Sequence, residues 1–178
     1  ARFVDSFLGK KLGSPRPITG VSFCIPTNGK RELETRLLIE SIKKQKGAKQ
    51  EIVLCGDITN FSDLEGTVKL IDKSEEANTR KVASLRNAAA DQAKYEVICY
   101  CDDDILLEEG WLEKTIEFSN ERDWDVLSNK VLCPDGTRYW DRALLEPHVL
   151  VDYDFPECSR GLYQCSCFFL VRKSVFNN

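Results

Sequence analysis

Glu96-Val97-Ile98-Cys99-Tyr100-Cys101 runs straight into Asp102-Asp103-Asp104, and the reading of this stretch decides the fold. The apolar run has the length and the β-branched and aromatic content of a buried strand. Three like charges stacked at its end repel one another unless a cation or a polyol receives them. A hard divalent ion, Mg2+ or Mn2+, is the usual recipient, with carboxylate oxygens as ligands and a diphosphate completing the shell. A solvated acidic turn capping the helix predicted from Gly110 accounts for the triplet equally well.

Working outward, the same grammar repeats. Gly20 to Pro26 reads as a first strand ended by proline, followed by the loop Thr27-Asn28-Gly29. Leu33, Leu37, Leu38 and Ile42 fall at helical spacing and predict an amphipathic helix over 32–45. Glu51 to Cys55 is a second strand with its exit loop at Gly56-Asp57, and Thr67 to Ile71 is a third. Val82, Leu85, Ala89 and Ala93 stripe a helix that leads into the strand at 96–101, and a further helix runs from Gly110 to about Phe118. Strands alternating with helices predict an α/β fold: a Rossmann-like α/β/α sandwich around a mostly parallel sheet. In such sheets ligands bind beyond the carboxyl ends of the strands, where strand order reverses. Pro26, Thr27, Asn28, Asp57 and Asp102–Asp104 all sit at carboxyl ends. That convergence lifts the triplet above a decorative turn.

The second half changes character. Val126 to Leu132, Thr137 to Trp140, Glu146 to Tyr153 and Tyr163 to Val171 are strand-like, with a turn signal at Pro134-Asp135-Gly136. The expectation is one domain over 1–178, with a nucleotide-binding half at 1–120 and a mixed β half at 121–178 that closes over it.

The chain has 178 residues, a net charge of −4 and 30% charged residues, an ordinary globular composition that excludes a nucleic-acid partner. It has no apolar run of membrane-spanning length and no leader pattern. Cytoplasmic residence is expected, with peripheral membrane contact left open. Of eight cysteines, Cys24, Cys55, Cys99 and Cys101 lie inside strand-like runs, where a free thiol acts as a small apolar side chain. Zinc spacing is absent, and Cys133, Cys158, Cys165 and Cys167 are read as reduced thiols too. Methionine is missing altogether.

With these motifs in place, the chain resembles family 2 glycosyltransferases of GT-A fold. The resemblance rests on Ile25-Pro26-Thr27-Asn28, one residue short of the family's Pro-Thr-x-Asn; on Asp57 after the second strand; on Leu85-Arg86-Asn87, preceded by Lys81, for a helical Ala-Arg-Asn; on Asp102-Asp103-Asp104 for Asp-x-Asp; and on Arg172-Lys173-Ser174-Val175-Phe176 after Gly161. It spans roughly residues 20 to 176 in the family's order.

The resemblance implies transfer of a sugar from a nucleotide-diphosphate sugar, UDP-sugar favoured, to a glycan, lipid or small-molecule hydroxyl, with inversion, using Mn2+ or Mg2+. Pro26, Thr27 and Asn28 would line the nucleotide site, and Asp57 would accept the imide N–H of uracil or a comparable base edge. Arg86 would face the phosphates or base. Asp104 would bind the metal. Asp102 would hold the ribose hydroxyls or a metal-bound water, and Asp103 would belong to either set. The family's general base lies in an acidic pair beyond the Arg-Lys-x-Val-Phe segment, where this chain ends at Asn178, so the catalytic residue is unassigned and the acceptor half is expected to be truncated. Asp141, Asp152, Asp154 and Glu157 are substitutes for it, His148 is a structural residue or a late metal ligand, Trp111 is expected to pack, and Trp140 is open between core and sugar platform. A non-catalytic nucleotide-sugar-binding domain is the alternative. A sugar-phosphate nucleotidyltransferase lacks its Gly-rich phosphate loop here, and a dinucleotide oxidoreductase lacks GxGxxG.

Overall fold

The computed structural model describes residues 14–129, 131–136 and 167–176. Six strands form one sheet: β1 (Gly20–Thr27), β2 (Lys49–Gly56), β3 (Lys69–Asp72), β4 (Val97–Cys101), β5 (Val126–Ser128) and β6 (Phe168–Arg172). Their order is β3-β2-β1-β4-β6-β5. Strands β1 to β4 pair in parallel, whereas β6 runs antiparallel to both β4 and β5. The fold is therefore α/β with a mostly parallel sheet, as the alternation of elements predicts.

The helices are α1 (Glu32–Lys43), α2 (Ser74–Asn78), α3 (Val82–Asp91), α4 (Trp111–Glu121) and α5 (Lys173–Phe176), with a 3-10 turn over Thr59–Leu64. Alternate residues of one strand enter opposite layers. Phe23 and Ile25 pack with Leu38, Ile39 and Ile42 of α1 and with Leu112 of α4. Cys24 faces the other way, with Leu85, Ala89 and Ala90 of α3. The small alanine face of α3 lets that helix lie close on the sheet, while the larger side chains of α1 fill the opposite layer. Each fully buried leucine or isoleucine contributes about 2 kcal/mol through apolar burial.

The structure corrects part of the helical stripe. Thr35, Leu38, Ile39 and Ile42 are the buried face of α1, whereas Leu33 and Leu37 are 68% and 52% exposed. Two apolar faces compete on this helix, and the sheet took the one carrying the two isoleucines. Val82 likewise points outward at 42% exposure. The strand expected over Val126 to Leu132 closes at Ser128. The segments 137–140 and 146–153, and the start of 163–171, lie outside the described residues. Trp111 packs as expected, its ring centroid 5.0 Å from that of Phe168 and its Nε1 donating to Asn129 Oδ1 at 3.1 Å.

The loop after β4 is anchored from below. Gln45, buried just past α1, donates to the Glu108 carbonyl at 2.9 Å and accepts the Leu112 amide at 3.1 Å. Ser41 Oγ accepts the Leu107 amide at 3.2 Å. These bonds fix where the acidic triplet can go.

Gly56 closes β2 at φ +140°, with its position beside Thr27 so tight that an added Cβ would lie 1.9 Å from the Thr27 carbonyl oxygen. Gly56→Ala combines a strained backbone with overpacking and is expected to destabilise the protein by about 3 kcal/mol. Urea unfolding measures this, and a loss below about 1 kcal/mol would show that the two strand ends are not in such contact.

Candidate functional site

Strand order reverses between β1 and β4: β2 and β3 lie to one side of β1, and β6 and β5 lie beyond β4. A crevice opens at the carboxyl ends of such a pair. Thr27 ends β1 there, and Asp102 follows β4 directly.

The triplet divides into three environments. Asp103 is buried, 6% exposed; Thr27 Oγ1 donates to its Oδ2 at 2.9 Å, and Arg31 Nη1 donates to its Oδ1 at 3.2 Å. Asp102 is held on its backbone by its amide donating to the Cys167 carbonyl at 2.8 Å, and on its side chain by Arg86 Nη2 at 2.7 Å. Asp104 is 42% exposed and pairs with Arg31 Nη1 at 2.7 Å. Burial raises the Asp102 carboxyl above the usual range, against the opposing pull of Arg86. Asp104, and then Asp103, hold the Arg31 guanidinium more firmly protonated than usual.

This geometry disposes of the solvated-cap reading. The helix at Trp111 is capped by Gly110 in the left-handed region, six residues beyond the triplet, and Asp103 is turned into the protein rather than out to water.

The loop after β1 folds back on itself. Thr27 Oγ1 accepts the Gly29 amide at 3.1 Å, and Asn28 Oδ1 accepts the Lys30 amide at 3.1 Å. Asn28 is exposed, whereas Pro26 is buried inside β1 opposite Cys55. Asp57 begins just after β2, its amide donating to the Thr27 carbonyl at 3.2 Å. Its Oδ1 accepts both the amide and the hydroxyl of Thr59, at 3.2 and 2.7 Å. No described residue donates to its Oδ2. Gly29, at φ +73°, lies against that side chain: an added Cβ would sit 3.1 Å from Asp57 Cγ.

Thr27, Asp103, Arg31 and Asp104 are thus joined through hydrogen bonds and ion pairs, Arg86 pairs with the adjacent Asp102, and Asn28 and Asp57 stand on the flanking loops. Lys81 is exposed at the start of α3. Arg31 is the residue that sequence reasoning missed. Its signal was present, a basic residue four positions past Thr27 in the turn entering α1, but only the three-dimensional fold brings that turn over the triplet. Asp141, Asp152, Asp154, Glu157, His148, Trp140, Cys158 and Cys165 lie outside the described residues. Cys24, Cys55, Cys99, Cys101 and Cys133 are free; burial pushes the Cys55 thiol up to about 11 and raises those of Cys24 and Cys99 as well, which makes them poor nucleophiles.

Among the described residues no three His, Cys, Asp or Glu side chains gather as a ready-made metal cage. The donor set nevertheless fits Mg2+ or Mn2+ at a phosphate site, since such ions take one or two carboxylates and complete their shell with water and substrate oxygens. Asp104 and Asp102 offer hard oxygens, with side chains 42% and 35% exposed.

The comparisons agree with this architecture. A crystal structure of S. aureus TarS 1-349 matches with a TM-score of 0.65 at 20% identity, over 90% of this chain and 48% of that one. The same protein in complex with UDP matches at 0.65 and 19%, over 89% and 48%. The mannosyltransferase PcManGT from Pyrobaculum calidifontis, in complex with GDP-Man and Mn2+, matches at 0.51 and 18%, over 75% and 42%. The chain spans about half the length of these solved relatives. No curated protein sequence matches it. The family model for glycosyl transferase family 2 matches residues 22–178, so the chain belongs to that family.

Proposed function

We propose that this protein is a metal-dependent glycosyltransferase that moves a sugar from a UDP-sugar to a hydroxyl acceptor with inversion. The observation that carries the reading is the buried Asp103 carboxylate, hydrogen-bonded to Thr27 across the carboxyl ends of β1 and β4. Burying a carboxylate is costly, and here it fixes the backbone on which Asp102 and Asp104 stand. Solved relatives carrying UDP, UDP-GlcNAc, and GDP-Man with Mn2+ support a nucleotide-sugar partner and a divalent ion.

In this reading each side chain has a defined task. Asp57 Oδ2 accepts the imide N–H of uracil, because Thr59 already occupies Oδ1. Pro26, Thr27 and Asn28 form the wall beside the base and ribose. Asp102 receives the ribose hydroxyls, and Arg86 balances its charge and leans toward the diphosphate. Asp103 orients, through Thr27 and Arg31, and Asp104 with Asp102 would hold the metal. A bound divalent ion supplies charge neutralisation for the departing nucleoside diphosphate. An acceptor hydroxyl attacking the anomeric carbon gives its proton to a general base, for which Asp141, Asp152, Asp154 and Glu157 are the candidates.

Titration calorimetry with UDP, with and without Mn2+, followed by a UDP-sugar hydrolysis assay, tests the proposal. Mn2+-dependent binding with turnover supports it. Binding without turnover reduces the protein to a nucleotide-sugar receptor, and absence of UDP binding overturns it.

Asp104→Ala is expected to lose at least tenfold in Mn2+-dependent UDP affinity while its melting temperature stays near that of the parent, since both partners of its ion pair are substantially exposed. Undiminished Mn2+ dependence would remove Asp104 from the metal site. Asp57→Asn is expected to weaken UDP about tenfold relative to GDP and ADP, the worth of one charge-assisted hydrogen bond; equal losses for all three bases would refute the contact. Asp102→Asn separates function from folding. Because the fold raises the Asp102 pKa, its ionisation subtracts from stability, a penalty that grows as pH rises through the acid range and is complete above the folded pKa. The asparagine variant should therefore be at least as stable as the parent at pH 7 yet bind UDP poorly. Denaturant melts at pH 4 and pH 7 check the sign, and a large loss of stability at pH 7 would contradict it.

A further inference from the structure

Arg31 stands out because it is seated on an Asp104 oxygen that a metal ion would need. Its Nη1 lies 2.7 Å from Asp104 Oδ2 and 3.2 Å from Asp103 Oδ1, bridging two neighbouring carboxylates with one guanidinium. Arg86, by contrast, pairs with Asp102 and is only 20% exposed.

The attachment of Arg31 is suited to movement. Its backbone is fixed, the carbonyl accepting both the amide and the hydroxyl of Thr35 at 2.9 and 2.7 Å. Its side chain is 53% exposed and bonds only the two aspartates among the described residues. A long flexible side chain on an anchored Cα can leave its partners without disturbing β1 or α1. The carboxylates are less free: Asp103 is pinned by Thr27, and the loop beyond is tied to Gln45 and Ser41.

Charge gives the arrangement its consequence. Asp102, Asp103 and Asp104 carry three negative charges against the two positive charges of Arg31 and Arg86, leaving the cluster at −1. A divalent ion that binds Asp104 meets a guanidinium already seated on the same oxygen, and the two cations repel at contact distance. A diphosphate changes that balance, because it accepts bidentate hydrogen bonds from a displaced guanidinium.

We propose that Arg31 is a resident counter-ion that guards the metal site: it partly neutralises Asp103 and Asp104 in the ligand-free protein, opposes binding of a divalent cation on its own, and swings onto the diphosphate when cation and nucleotide arrive together. The inference rests on the reading of the triplet as a cation site and adds a coupling to it. Arg31 makes metal and nucleotide binding cooperative, so that the empty protein does not hold metal without donor.

The test is Mn2+ binding itself, measured by the electron paramagnetic resonance signal of free Mn2+, with and without UDP, for the parent, Arg31→Gln and Arg31→Lys. Arg31→Gln is expected to bind Mn2+ alone at least fivefold more tightly than the parent, with a smaller gain on adding UDP. Arg31→Lys, which keeps the charge, should stay near the parent in binding Mn2+ alone. Equal or weaker Mn2+ binding by Arg31→Gln overturns the proposal, as does an undiminished gain from UDP. The parent alone decides if the variants do not fold: Mn2+ bound as tightly without UDP as with it overturns the proposal. Mn2+-dependent UDP binding by the parent with no change in Arg31→Gln sinks this inference only, whereas no UDP binding by the parent sinks the proposed function as well.

Discussion

The hydrogen bond between Thr27 Oγ1 and Asp103 Oδ2, 2.9 Å long and buried, ties the ends of the two strands at which the sheet changes direction. β1 and β4 are neighbours in space but separated in sequence by two strands and three helices, and their register is set by main-chain pairing from Val21 with Val97 to Cys24 with Tyr100. That pairing ends ahead of Thr27 and Asp102, and in such sheets the crevice lies beyond the carboxyl ends of the strands where their order reverses. A carboxylate placed at that point without a donor would be strongly destabilising. Thr27 supplies one donor and Arg31 the other. The cost of burying Asp103 is thereby met locally, and the crevice keeps a fixed floor.

Much of this was legible in the sequence because strand and helix periods are short-range signals. The runs at 20–26 and 97–101 are apolar apart from Ser22, so their burial on both faces followed from composition. The carboxyl-end placement of Thr27, Asp57 and Asp102–Asp104 followed from chain direction. What was not legible depends on contacts between distant segments. Leu33 and Leu37 have the same spacing as Leu38 and Ile42, and only the position of the sheet decides which pair is covered. The short α2 and the 3-10 turn at Thr59–Leu64 lack a full helical period to read. In the sequence Arg31 is one arginine among eleven until β4 is placed beside β1; its role is a property of strand order, not of its neighbours in sequence.

The electrostatics of the site set anchored anions against one movable cation, Arg31. Asp103 is held from β1, and Asp102 is held by its own amide on the Cys167 carbonyl, at the start of β6. The two arginines come from helices on opposite layers, Arg31 entering α1 and Arg86 within α3. Each reaches the triplet through a long side chain. A site built this way has little reorganisation to do among its acids when a charged ligand enters, and the adjustment falls on Arg31, the more exposed of the two arginines.

The antiparallel strand β6 adds a further constraint. It comes from the end of the described chain yet inserts beside β4, so the triplet is fixed only once the second half has returned to the sheet. Its arrival also buries Arg172, 1% exposed, over the Trp124 ring, with Nη2 donating to the Arg16 carbonyl. Arg16 in turn pairs with Asp123 and Asp125. The lead-in to β1, the turn before β5 and the end of β6 are thus locked together at the edge opposite the crevice. A family motif that reads as a late basic pair is, for its arginine, part of the scaffold. Arg172 secures β6, β6 secures the Asp102 amide, and the triplet keeps its position because the sheet is complete.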